Sequence, residues 1–161
     1  MRNLGNKKFK LVAVAGTFDI LHLGHKNLLN KAFEIGEKVI IGICSDSMVK
    51  KMKKPHPVNP YQVRKEKLLE FLKNFGYMDR ARIIQINDPY GPAIVDKEME
   101  AIVVSEETEY RAHEINKIRE KNGLNLLEIV PIKMVKAENG GILSSSRIRM
   151  GEIDPEGRLR K

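Results

Sequence analysis

The chain is short of several things, and each shortage narrows what it can be. It has one cysteine and no tryptophan, and aromatic residues make up 6% of its 161 positions. The lone thiol, Cys44 in the apolar run VIIGIC, has no partner for an internal disulfide and reads as a small core residue rather than a nucleophile. No apolar run approaches the ~20 residues that cross a bilayer, and the polar stretch from Met1 to Lys8 lacks the apolar core of a secretory signal. These absences predict a cytoplasmic protein that does not use a membrane. No Ser/Gly-rich or Pro-rich stretch is long enough to link domains, so a single domain over residues 1–161 is expected, with a tail from about residue 152 that frays. The six-residue dinucleotide glycine fingerprint and the lysine-bearing P-loop are both missing.

Positive charge is abundant, with a formal net charge of +8. Such an excess suits nucleic acid or a small polyanionic substrate. Much of it is local: Lys50, Lys51, Lys53 and Lys54 form one cluster, and Arg158, Arg160 and Lys161 form the tail. A nucleic-acid module usually interleaves basic residues with aromatics, which are scarce here.

Strand and helix patterns alternate along the chain, which predicts an α/β, Rossmann-like, doubly wound parallel sheet of about five strands in three α/β/α layers. The expected strands are Lys10 to Ala15, Val39 to Cys44, Ile83 to Ile86, Ala101 to Val104 and Leu126 to Val130. Leu28, Leu29, Ala32 and Phe33 recur at helical spacing after His25, up to Gly36. Asn59-Pro60 reads as an N-cap and first helical residue for an apolar stripe through Leu68, Leu69, Leu72 and Phe75, and a further helix is expected over Thr108 to Asn122.

The first strand-to-helix turn carries the strongest signal: Gly16-Thr17-Phe18-Asp19, then His22-Leu23-Gly24-His25. It sets two imidazoles beside the unpaired N–H groups and positive dipole end of a helix N-terminus, where a phosphate docks. A zinc site would need further ligands at matching spacing, and His56 and His113 share no motif with this pair. In a parallel sheet, ligands sit outside the carboxyl ends of the strands. The lysine cluster, Asp88-Pro89-Tyr90-Gly91-Pro92, Ser105-Glu106-Glu107-Thr108 and Ser144-Ser145-Ser146-Arg147 all follow strands and converge there. Taken singly, the lysines could equally be a solvated face, DPYGP a plain turn and the serines a helix cap.

Together these residues resemble the HxGH nucleotidylyltransferase superfamily from about Lys10 to about Gly151. GTFDxxHxGH is Gly16 to His25, and the late serine element is Leu143 to Arg149, shifted in its first apolar residue. Asp88 to Ala93, Val103 to Thr108 and the Asn116/Arg119 pair are similar to the archaeal and eukaryotic type of phosphopantetheine adenylyltransferases. The resemblance implies AMP transfer from ATP to 4′-phosphopantetheine, giving dephospho-coenzyme A and pyrophosphate in coenzyme A biosynthesis. It implies His25, His22 and Lys53 as catalytic residues. The ATP site it implies comprises Gly16, Thr17, Phe18, His22, His25, Ser105, Asn116, Arg119, Ser144, Ser145, Ser146 and Arg147. Thr17, Asp19, Lys51, Lys53, Asp88 and Tyr90 are implied for the acceptor. Mg²⁺ is expected with ATP, held by phosphate oxygens and water, with no dedicated protein ligand. The partners implied are the substrates, without nucleic acid, membrane or an obligate protein. Another nucleotidylyltransferase, using CTP or a different phosphorylated acceptor, is the nearest competing reading.

Overall fold

The computed structural model describes residues 7–133, 148 and 155. Five strands form one parallel sheet: β1 (Phe9–Gly16), β2 (Gly36–Cys44), β3 (Ala81–Ile86), β4 (Ala101–Ser105) and β5 (Glu128–Ile132), in the order β3-β2-β1-β4-β5. Among the described residues the α-helices are α1 (Leu23–Ile35), α2 (Asp46–Lys51), α3 (Tyr61–Asn74) and α4 (Glu109–Lys121). Side chains alternate across the sheet, so Val12, Val14, Val39 and Ile41 pack one face against Leu29 and Phe33 of α1 and Leu68 and Leu72 of α3. Ala13, Ile40, Ile102 and Val104 pack the other face against Ala112 and Ile115 of α4. The expected Rossmann-like, three-layer architecture is the one observed.

Strand order reverses between β1 and β4, whose ladder pairs Val12 with Ala101 and Ala13 with Ile102. Above that point the two strands part, which opens the crevice where such sheets bind ligands.

Local boundaries differ from the sequence expectation for identifiable reasons. The lysine cluster is not all loop: Ser45 caps α2 through a 3.1 Å bond from Met48 N to its Oγ, and Lys50 and Lys51 lie in the last turn. Asn59 does not cap α3: Pro60 holds the N-cap position with no side-chain cap bond, and the helix starts at Tyr61. Asn59 is turned to Asp19, its side-chain amide donating to the Asp19 carbonyl at 3.5 Å and its backbone N–H to Asp19 Oδ1 at 2.9 Å. The last strand begins at Glu128 rather than Leu126, because the Asn116 amide takes both backbone groups of Leu127. Gly36 ends α1 and opens β2 at once. A Cβ there would lie 2.6 Å from Val12 Cγ2 and 3.1 Å from the Ala32 carbonyl oxygen, so only glycine fits this abrupt join.

Candidate active site

The turn after β1 is held in an unusual conformation. Phe18 has φ +53°, rare outside glycine, yet its ring is fully buried and lies 5.2 Å from that of His25. His22 is the N-cap of α1: its Nδ1 accepts from Gly24 N at 3.1 Å, while its own backbone N–H donates to His25 Nδ1 at 3.3 Å. Two imidazoles thus form the reciprocal cap that Ser/Thr and Glu/Gln usually make. Their rings stack with centroids 3.8 Å apart. Because both Nδ1 atoms accept, the ring proton of each neutral histidine sits on Nε2.

Burial, with Lys26 adding to it, pushes the His22 pKa down to about 4. Burial and the neighbouring His22 push His25 to about 3, against the opposing pull of the Ile20 carbonyl and Asp19. Near neutral pH the pair is uncharged, so it offers N–H donors to an anion without a cation buried in its absence.

Behind this turn lies Arg64 of α3, fully buried. Its Nη1 donates to the carbonyls of Thr17 (2.8 Å) and Cys44 (2.7 Å), its Nε to that of Asn59 (2.8 Å), and its Nη2 to Asp46 Oδ1 (2.9 Å). One guanidinium therefore ties the ends of β1 and β2 to the starts of α2 and α3. No motif marked Arg64, although an arginine in phase with Leu68 and Leu72 on an apolar helix stripe was a usable sign.

A cavity of about 400 Å³ fills the gap between β1 and β4. Gly16, Thr17, Phe18, Asp19, His22, His25 and Ser105 line it, as the motifs implied. A sequence profile of the cytidylyltransferase-like family matches residues 13–151, which include this turn and these strand ends. The chain belongs to the cytidylyltransferase-like family. It is 46% identical over 157 residues to the phosphopantetheine adenylyltransferase of Methanothermobacter thermautotrophicus, covering 96% of this chain and 92% of the relative. It is 51% identical over 154 residues to that of Pyrococcus horikoshii, covering 94% and 95%. Among solved structures, a protein of unknown function from Archaeoglobus fulgidus superposes with a TM-score of 0.68 at 34% identity, over 75% of this chain and 87% of the other.

Several residues implied for the site of this cytidylyltransferase-like chain lie elsewhere. Asn116 is turned to the Leu127 backbone, and Arg119 is fully buried with bonds to the carbonyls of Asn125, Ala93 and Asp96; both hold loops rather than line the cavity. Asp88 Oδ1 accepts from the N–H groups of Tyr90 and Gly91, and Tyr90 donates its hydroxyl to Glu114, so neither faces the cavity. Lys51 and Lys53 are also off the wall; Lys53 takes a left-handed turn at φ +51° and Lys54, the next residue, lines the cavity instead. Ser144, Ser145, Ser146 and Arg147 lie outside the described residues. The motifs did not mark Met48, Met52, His56 or Arg111, which do line it, and Pro89 of the Asp88–Pro92 stretch lines it too. Among the described residues no helix is long and apolar enough to cross a membrane, and no three His, Cys, Asp or Glu cluster to hold a metal ion.

Proposed function

We propose that this crevice transfers AMP from ATP to 4′-phosphopantetheine. An oxygen of the acceptor phosphate attacks the α-phosphorus in line, the bond from that phosphorus to the α–β bridging oxygen breaks, and pyrophosphate leaves with the electron pair. The protein's task is to hold two anions together and to stabilise charge that grows in the transition state. The observation that carries the reading is the stacked His22–His25 pair, with both Nδ1 atoms engaged, at a helix N-terminus in a chain about half identical to relatives bearing that enzyme name.

His25 Nε2–H serves the α-phosphate and His22 the phosphates beyond it. The Thr17 hydroxyl and backbone hold the acceptor phosphate, and Lys54, rather than Lys53, supplies an ammonium between the two reactants. The sulfur-containing and apolar side chains of Met48, Met52, Val58 and Ile86 line the β2–β3 side of the cavity, a surface suited to a neutral pantetheine arm. Mg²⁺ bound to ATP would supply neutralisation of phosphate charge, with no side chain of this wall required to hold it. The donor-rich wall fits a metal held by phosphate oxygens and water, since Asp19 Oδ1 is already engaged by Asn59 N. Charged, phosphorylated substrates and a single buried thiol fit work in the cytoplasm.

Pyrophosphate release, measured with ATP or CTP against a panel of phosphorylated acceptors, tests this. Turnover with ATP and 4′-phosphopantetheine, and little with CTP, is expected. Preference for CTP or for another acceptor would overturn the assignment.

A further inference from the structure

Arg111 is a cation on the cavity wall that no motif marks. It sits in the first turn of α4, half-buried, on the β4 side of the crevice. Its guanidinium carbon lies 5.5 Å from the ring centroid of Tyr110, and Nη2 donates to the Tyr110 hydroxyl at 3.0 Å. The ring thus acts as a shelf that limits the guanidinium's freedom. Among the described residues Arg111 forms no ion pair, unlike the buried Arg64, which is matched by Asp46.

Its charge extends to the β2–β3 half of the crevice. Burial raises the Cys44 thiol pKa, and Thr17, Arg64 and Arg111 oppose that rise. The hydrogen bond to Glu114 raises the Tyr90 hydroxyl, and Arg111 again acts against it. The guanidinium shares one cavity with the His22–His25 turn and with the apolar wall of Met48, Met52, Val58 and Ile86. An acceptor with a neutral arm on that wall and a phosphate at the reacting centre would place its phosphate in the same cavity.

We infer that Arg111 binds the phosphate monoester of the acceptor, and that this contact makes the enzyme discriminate phosphorylated from unphosphorylated acceptors. The inference rests on the proposed reaction and adds the residue that selects its acceptor. A planar guanidinium can donate two parallel hydrogen bonds to a phosphate, which an ammonium cannot.

The test compares wild type with Arg111→Ala, Arg111→Gln and Arg111→Lys, each checked for an unchanged thermal midpoint. Three quantities are read: KM for 4′-phosphopantetheine at saturating ATP, calorimetric Kd for ATP alone, and calorimetric Kd for 4′-phosphopantetheine alone. In the Ala and Gln variants the acceptor KM and Kd should rise at least about tenfold, with partial recovery in Lys, as expected for loss of a charge-assisted bond. The ATP Kd should stay within about twofold, and unphosphorylated pantetheine should inhibit wild type and variants equally. An unchanged acceptor Kd, or an equal loss for ATP, would overturn the inference. Absence of wild-type turnover would instead remove the proposed reaction, while the direct acceptor titration would still report on Arg111.

Discussion

In the proposed reaction His25 serves the phosphate site by touching the ligand, and Arg64 serves it by fixing the backbone of the same turn. Removing the Nε2–H donor in His25→Ala should lower kcat by about 10²-fold or more, with a smaller change in ATP affinity, because the contact strengthens as charge builds at the α-phosphorus. Rapid-quench or steady-state turnover checks this, and wild-type kcat would remove His25 from the chemistry. The same histidines set a pH dependence of stability. Their folded pKa values, about 4 and about 3, lie below the ordinary value of 6.5, so the unfolded chain binds protons first. Their contribution is complete above pH 6.5 and is lost progressively as pH falls toward 4 and 3. Urea midpoints should therefore fall across that window, while kcat/KM shows no histidine limb between about pH 5 and 8. Arg64→Met removes four donated hydrogen bonds and leaves the carbonyls of Thr17, Cys44 and Asn59 unsatisfied. A loss of about 3 kcal/mol or more in denaturant unfolding is expected.

At the level of elements, the join at Gly36 is the least tolerant point. Gly36→Ala pushes a methyl into Val12 and the Ala32 carbonyl, and overpacking of this kind costs about 1–3 kcal/mol; a lowered thermal midpoint is the measurement. Most elements were legible in the sequence because buried parallel strands are continuous apolar runs and α1 carries a clear stripe. The six-residue α2 was hidden because it is too short to show a period and its last turn is made of lysines. The backbone partners of Asn116 and Arg119 were hidden because a polar side chain aimed at a backbone carbonyl leaves the same sequence trace as one aimed at a ligand. The Lys53–Lys54 register depends on one left-handed residue, which spacing does not reveal. The apolar β2–β3 wall of the cavity was invisible since Met48, Met52 and Val58 pattern as ordinary core.

On the scale of the whole molecule, the crevice lies at the one place among the described strands where the sheet's ladder is short. Beyond Val12–Ala101 and Ala13–Ile102, the β1 and β4 sides are left to be bridged by whatever fills the cavity between them. Cys44, 3% exposed and the chain's sole thiol, is part of the wall of that space. It is therefore a built-in clock for breathing of the crevice. Reaction with an aromatic disulfide reagent proceeds when the thiol is momentarily uncovered, so its rate reports how often the molecule opens. Saturating ATP should slow modification several-fold, followed on the intact protein by mass, with no engineered label to disturb the site. An unchanged rate would mean that Cys44 is reached by a route other than the one the substrates take.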